Sequence, residues 1–521
     1  MKVSIALFVA TAFLTAAGPS PGGFSLWGEL TPGSYAVGFR QLERYDSSRV
    51  HRLARDLEGG PRTGERARPI RVSIWYPAET SQRSPLTWGD YAAMVAGEEN
   101  FGTLSPEQMA RGRRTLFRFP LLSDLSGEER ARLEAMPSKA VRDAVPVRGK
   151  FPLVLYSLGS AVIGHVTPEY LASHGYVVVQ SPRLGAFAGL PPDNRDGLDI
   201  LTKVADMDFL INTMSEFPSA DVHNLGALGF SAGGRWALSK AMAHADVRCV
   251  VSLDSVMLFK DATQEAWKRL PFFNPESVRI PVLHMIRRAW VPQEDPSLWD
   301  AMRYADRTAM VFEDAKLDHL DFQSVGFALT LAGTRVEAAP ATARAFSTWN
   351  RYTLAFLDAH VKGDAEAKRF LARPPAENGV PAGFLTISRK AGEPAPLTLA
   401  EVLNAVDEGD VASVERAYRR GWKDAARPPE DALNLAGYNL LFSGRIPEAI
   451  RLLAVNAEAF PISPNAWDSL ADAYLAAGDR AKARDLSLKA KALLETTTGL
   501  DPQRKQRIRE SIEDKLKQLE R

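Results

Sequence analysis

An apolar run, Leu225-Gly226-Ala227-Leu228, leads without a break into Gly229-Phe230-Ser231-Ala232-Gly233-Gly234, and a stretch with helical spacing, Trp236 to Ala245, follows. A buried strand that passes directly into a helix must turn within a residue or two, and glycines there remove side chains that would strike neighbouring backbone. The one Ser is left at the tip of the turn. The short pattern alone occurs often by chance; its place between a strand and a helix is what constrains the fold. The competing reading is a tight turn carrying an ordinary Ser.

The surrounding sequence agrees with such a strand–helix unit. From Gly33 to about Ile387 short apolar runs alternate with helical patterns, the signature of an α/β architecture with a mostly parallel sheet. Strands are expected at Tyr35–Leu42, Ile70–Tyr76, Leu153–Tyr156, Tyr176–Gln180, Leu225–Phe230, Cys249–Leu253, Val282–Ile286 and Ala309–Phe312, and a helix at Leu201–Met214. Several of the strands are unbroken Val/Ile/Leu runs, as sheets covered on both faces require. Residues 86–148 interrupt the rhythm. Ser105-Pro106-Glu107-Gln108 and Ser126-Gly127-Glu128-Glu129 each read as a capping box, so this stretch is a helical insertion. Its run Arg111, Arg113, Arg114, Phe117, Arg118, Phe119 is either a solvated basic face packed through its two Phe residues or the lining of a substrate mouth.

Beyond Gly379 the pattern changes. Residues 390–397 read as a linker, and 398–521 as wholly helical. Leu433 and Trp467, Gly444 and Gly478, and Ala449 and Ala483 all repeat at an offset of 34 residues. This spacing resembles tetratricopeptide helical hairpins, preceded by a degenerate hairpin over Leu403–Tyr418 and closed by a charged helix over Gln503–Arg521. Such a region implies a protein partner or self-association.

A chain of 521 residues exceeds the ~250–300 at which single cores stop growing, so two domains are expected, 18–389 and 398–521. A hydrophobic fraction of 45% and a charged fraction of 24% let both bury a core. The net charge of +1 offers no field for nucleic acid. Residues 1–17, with Lys2, the apolar stretch Val3–Leu14 and small residues before Gly18, read as an export signal, which places the mature protein in the periplasm or outside the cell; no later segment reads as a transmembrane span. Cys249, the sole Cys, lies in an apolar run and reads as a core residue.

A Ser hydroxyl needs a His to take its proton and a carboxylate to orient that His. After an elbow of this kind the chain order is Ser, acid, His. Asp254 ends the next strand, Cys249–Leu253, and is the first choice of acid, with Asp314 and Asp318 as rivals. Three His residues follow it. His284 lies mid-strand and reads as a core residue, and His360 ends the helix Trp349–His360 that closes the domain. His319 follows a strand through the polar loop Glu313–Asp318, the position a base needs; its competing reading is a loop His paired with Asp318 or Asp321. Two backbone N–H groups should receive the oxyanion: that of Ala232, and one from Ser157-Leu158-Gly159-Ser160-Ala161, for which Ser160 is the choice. There is no His-Glu-x-x-His run or Cys/His cluster to hold a metal.

Taken together, Tyr35-Ala36-Val37-Gly38-Phe39-Arg40, Ile74-Trp75-Tyr76-Pro77, Pro152 to Ser157, Leu171 to Tyr176, the elbow, Leu253-Asp254 and His319 resemble the platelet-activating-factor acetylhydrolase family of α/β-hydrolases and its dienelactone-hydrolase-like relatives, over residues 33–362. The resemblance implies Ser231, Asp254 and His319 as triad, Ser160 and Ala232 as oxyanion donors, and cleavage of carboxylic esters, often of short or oxidised acyl groups on phospholipids, without calcium or another cofactor. Where that family has His-Gly after the third strand, this chain has Leu158-Gly159. A small-molecule or lipid ester is therefore the expected substrate. A serine peptidase and a decayed hydrolase that merely carries the helical repeats are the alternatives.

Overall fold

The computed structural model describes residues 25–53, 66–98, 101–117, 120–158, 164–185, 187–188, 197–395, 397, 399–421 and 429–520. The chain divides into two compact units, one ending at Gly392 and the other beginning at Glu393.

The first unit is built on an eleven-stranded sheet in the order β11-β10-β9-β8-β7-β4-β5-β2-β1-β3, with β6 paired to β1. The strands are β1 (Ala36–Leu53), β2 (Arg66–Ala78), β3 (Ala140–Arg142), β4 (Phe151–Ser157), β5 (Val177–Gln180), β6 (Phe187–Ala188), β7 (Ala220–Phe230), β8 (Val247–Leu253), β9 (Val282–Arg287), β10 (Arg307–Phe312) and β11 (Leu385–Lys390). From β5 through β10 every neighbouring pair is parallel, while the pairs β1/β2, β2/β5 and β10/β11 are antiparallel. The α/β class read from the sequence is the observed one.

Alternation along the central strands sends side chains into two cores, one on each face. Val154 and Tyr156 of β4 and Leu228 and Phe230 of β7 belong to one. Leu153, Leu155, Leu225 and Ala227 belong to the other. Helix Ala339–Leu357 seals the first through Phe346, Trp349 and Tyr352. Helices Leu198–Ser215 and Ala232–Ala243 seal the second through Met207, Leu210 and Trp236. The chain leaves β4 for β5 on one side and β7 for β8 on the other, so the strand order reverses between β4 and β7. Ligands bind outside the carboxyl ends of strands at such a reversal, and those ends are Ser157 and Phe230.

Three features depart from the sequence expectations. The hairpin β1/β2 runs well past Leu42 and begins before Ile70, with a register shift between Asp46 and Val50. Its outer part is held by a buried ion cluster, Arg68 on Asp206, rather than by apolar alternation, and so leaves no periodic trace. Strand β11 was not foreseen, and Lys390, the first residue of the expected linker, is its last; only Leu385 and Ile387 carry an apolar signal there, as suits a charged edge strand. The closing helix ends at Leu357 and continues as one wide π turn, Asp358–Lys362, which contains His360.

Within 86–148 lie helices Trp88–Met94, Pro106–Leu116 and Gly127–Ala135. Both expected capping boxes are formed, Ser105 with Gln108 and Ser126 with Glu129. Phe117 is buried against Trp88 with ring centroids 5.9 Å apart, while Arg111 and Arg114 are exposed. Arg118 and Phe119 lie outside the described residues, as does the expected export signal.

The second unit is all-helical among its described residues. Helices Glu430–Phe442 and Pro464–Ala476 are equal in length and offset by the 34 residues of the sequence repeat, and each is followed by a glycine at positive φ, Gly444 at 75° and Gly478 at 81°. Their partners, Ile446–Ala459 and Arg480–Thr496, bury Ala449 and Ala483 completely, which lets the paired helices approach closely. A preceding pair, Leu399–Asp407 and Val411–Gly421, and a final helix, Pro502–Glu520, complete the unit. Among the described residues no helix is long and apolar enough to cross a membrane.

Candidate active site

Ser231 is the single residue between the end of β7 and the start of helix Ala232–Ala243, with φ 55° and ψ −125°. Such a conformation is costly for a residue with a Cβ and persists only where the surroundings fix it. Here the Ser231 N–H donates to the Leu253 carbonyl at 3.2 Å, and its own carbonyl accepts from Val256 N–H at 3.2 Å and Gly234 N–H at 3.3 Å. The glycines are required by contact. A Cβ on Gly229 would lie 2.1 Å from the Gly233 carbonyl oxygen, and one on Gly233 would lie 1.8 Å from that of Ser157. Ala232 opens the helix, so its backbone N–H has no partner within it.

Asp254 directly follows β8, is fully buried and has φ 33°. One carboxylate oxygen accepts the Arg287 backbone N–H at 3.1 Å; the other lies 2.7 Å from Nδ1 of His319. Arg287 Nε is 3.3 Å from the second oxygen but is not aligned to donate, so its help is Coulombic. The carboxylate at the imidazole is that of Asp254. Asp314 accepts a backbone N–H from Lys316 in its own loop, and Asp318 accepts that of His319.

His319 opens a short 3-10 turn, His319–Phe322, whose ends are fixed by a reciprocal cap between Asp318 and Asp321. Asp321 is in turn gripped by both terminal nitrogens of Arg335, at 2.6 and 2.9 Å. Two aromatic rings pack on the imidazole, Phe230 at 4.4 Å between centroids and Trp290 at 4.5 Å. The Arg287 guanidinium sits over the Trp290 ring at 4.4 Å. With a carboxylate at Nδ1, that nitrogen carries the proton and Nε2 is left as the base.

The structure thus gathers Ser231, Asp254 and His319 around the ends of β7 and β8. Of the remaining candidates, Ser160 lies outside the described residues. Leu158 is buried, and its Cδ2, the Tyr156 hydroxyl and the Gln323 Oε1 all crowd Gly164. Tyr156 donates to Gln323 Oε1 at 2.9 Å, while the buried Gln323 Nε2 has no partner among the described residues. His284 is buried and bonded at both ring nitrogens, to Ser252 at 2.9 Å and to Glu294 at 2.5 Å. Burial pushes the Cys249 thiol up to about 12, which makes it inert at neutral pH. Sequence reasoning passed over Phe230, Arg287 and Trp290. Phe230 occupies the variable position of the elbow, Arg287 is the last residue of β9, and Trp290 lies in the 3-10 turn Arg288–Gln293 that follows, which no spacing rule marks.

Residues 126–285 match the chlorophyllase family model. The matched segment contains Ser231 and Asp254 and stops before His319. Comparison with curated proteins finds no match. Among solved structures, a ferulic acid esterase from Streptomyces cinnamoneus is similar at 18% identity and a TM-score of 0.49, over 70% of this chain and 99% of that one.

Proposed function

We propose that the protein is a serine hydrolase of carboxylic esters. The observation that carries this reading is the 2.7 Å contact between Asp254 and His319 beside a Ser held in a strained strand-to-helix turn. Ser231 attacks the ester carbonyl as His319 Nε2 takes its proton; the imidazolium then protonates the leaving alcohol, and water activated by the same nitrogen releases the acid from the acyl-enzyme. The Ala232 N–H and the Ser160 N–H receive the oxyanion, each donor contributing ~3 kcal/mol to the transition state. No metal or cofactor enters this chemistry.

Short acyl groups, on simple or phospholipid-like alcohols, are the substrates we favour, on the family resemblance set out above. Leu158 makes the neighbourhood of the oxyanion loop apolar and is the residue expected to set this enzyme's acyl preference apart. Residues 1–17 direct export, and the tetratricopeptide-like hairpins contact a protein partner or a second copy.

A fluorophosphonate probe should label the wild type and not Ser231→Ala, and p-nitrophenyl butyrate should be turned over only by the wild type. Equal turnover by the variant would sink the reading. Faster cleavage of an aminoacyl p-nitroanilide than of the ester would make the protein a peptidase. A folded wild type that takes no probe would be a decayed hydrolase.

A further inference from the structure

A cavity lies at the opposite end of β10 from the His319 loop. It encloses about 440 Å³, within the range of small-molecule sites. Its apolar wall is Met310 of β10, Phe356 of the closing helix, and Leu371 from the helix Ala365–Ala372. His360 reaches it from the π turn Asp358–Lys362, with its ring on Phe356 at 4.5 Å. Wide turns of this kind are rare and concentrate at functional sites.

The charge around the cavity is unbalanced. Arg307 donates to the carbonyls of Ala305, Trp299 and Asp300, and Arg389 to that of Leu371; bonds to neutral carbonyls leave both positive charges in place. Lys390 is offset by Asp300. Asp306, the only carboxylate in the lining, accepts the Gly392 N–H at 2.9 Å, and its charge offsets one of the two arginines. Lys368 is exposed and forms no ion pair among the described residues. Burial, and then the nearby Lys368, lower the pKa of His360 against the pull of Asp306, which disfavours a second cation there. An apolar wall, one free ammonium and an excess of positive charge fit a ligand with a hydrocarbon chain and a single anionic head.

We propose that this cavity binds an amphipathic carboxylate, its head at Lys368 and His360 and its chain along Met310, Phe356 and Leu371. The site is separate from Ser231 and does not depend on the reaction there.

Calorimetric titration of the full chain with decanoate tests this. Saturable binding is expected, with decanol and acetate, which lack the head and the chain respectively, each at least about tenfold weaker, since a charge-assisted contact or a buried chain is each worth more than 1.4 kcal/mol. Lys368→Ala, at an exposed position, and His360→Gln should each weaken decanoate by about tenfold and leave p-nitrophenyl butyrate turnover unchanged. Absence of binding, equal affinity for wild type and Lys368→Ala, or decanol binding as tightly as decanoate would overturn the proposal. Loss of decanoate binding in the fluorophosphonate-labelled wild type would place the ligand at Ser231 and overturn it equally.

Discussion

Phe230 lies almost flat on the imidazole of His319, the two rings inclined by 18°. The residue that precedes Ser231 therefore also packs on His319, so the turn fixes two of the three proposed catalytic groups at once. Trp290 contacts the same imidazole, at 30°, and is itself held by Arg287. An aromatic contact of this kind is worth ~0.5–1.5 kcal/mol. Trp290→Ala should lower kcat for p-nitrophenyl butyrate by up to about tenfold with little change in KM, and Trp290→Phe should restore most of it. A change in KM alone would mean that Trp290 touches substrate instead of holding His319.

Asp254→Asn should keep the fold, because the side chain is isosteric and its Oδ1 still accepts from Arg287 N–H. It removes the charge that fixes the His319 tautomer, and a loss on the order of 10⁴-fold in kcat follows where such a carboxylate is neutralised. Asp314→Asn should stay within a few-fold of wild type. Near-normal activity in Asp254→Asn would show that another acid orients the base.

Gly233→Ala tests why the elbow needs its glycine. The added methyl would sit 1.8 Å from the Ser157 carbonyl oxygen, and that oxygen belongs to a central strand that cannot retreat without breaking its pairing with β7. Misfolding, or destabilisation beyond ~4 kcal/mol in a urea titration, is expected. A stable Gly233→Ala protein would mean that β4 and the helix after Ser231 can separate.

These cases also indicate what a sequence can carry. The turn at Ser231 and the place of Asp254 were legible because each sits at a strand end whose apolar run announces it, His319 was found one short polar loop beyond such a strand, and the capping boxes at Ser105 and Ser126 were legible because their chemistry is local. The offset of 34 residues was legible because two hairpins whose first helices are equal in length repeat it. Arg287 and Trp290 were not, since their value lies in contacts across the sheet edge. The outer part of the β1/β2 hairpin was hidden for a related reason. Asp206, some 138 residues distant in the chain, balances Arg68, and hydropathy periodicity records no ion pairs.

Asp206 deserves its own test. It is buried, with Arg68 Nε at 2.7 Å and Nη2 at 2.8 Å, Arg49 at 2.9 Å and Lys203 at 3.2 Å. Burial works to raise its pKa, but Lys203, Arg68 and Arg49 outweigh that and hold it well below the usual 3.8. A carboxyl whose folded pKa is depressed stabilises above its unfolded value and loses that contribution as pH falls through 3.8 and below. Asp206→Asn should cost roughly 3–5 kcal/mol at pH 7, because buried cations lose their counter-charge. The difference from wild type should shrink below about pH 4, where the unfolded chain's carboxyl takes up a proton that the native carboxylate still refuses. Denaturant titrations at both pH values check this, and a pH-independent difference would contradict it.

In the helical unit, Lys515 of the final helix is buried and lies 2.8 Å from Asp468 and 2.6 Å from Asp472. It also donates to the Asp468 carbonyl at 2.8 Å, so one ammonium ties Pro502–Glu520 to Pro464–Ala476. Burial raises the pKa of Asp468, and Lys515 opposes that. In Lys515→Met the opposition is gone. Asp468 is then a buried carboxyl without a counter-charge, and roughly 3–5 kcal/mol of the docking of the last helix should be lost at pH 7. A carboxyl with a raised folded pKa favours the native state at low pH, so the variant should regain part of the loss as pH falls from 7 toward 4. Lys515→Met/Asp468→Leu, which replaces the pair by apolar groups, should recover most of it at every pH. Hydrogen–deuterium exchange over Pro502–Glu520 in the full chain reads each case. Equal protection in wild type and Lys515→Met would mean that Ile508 and Ile512, also buried there, hold the helix without the ion pair.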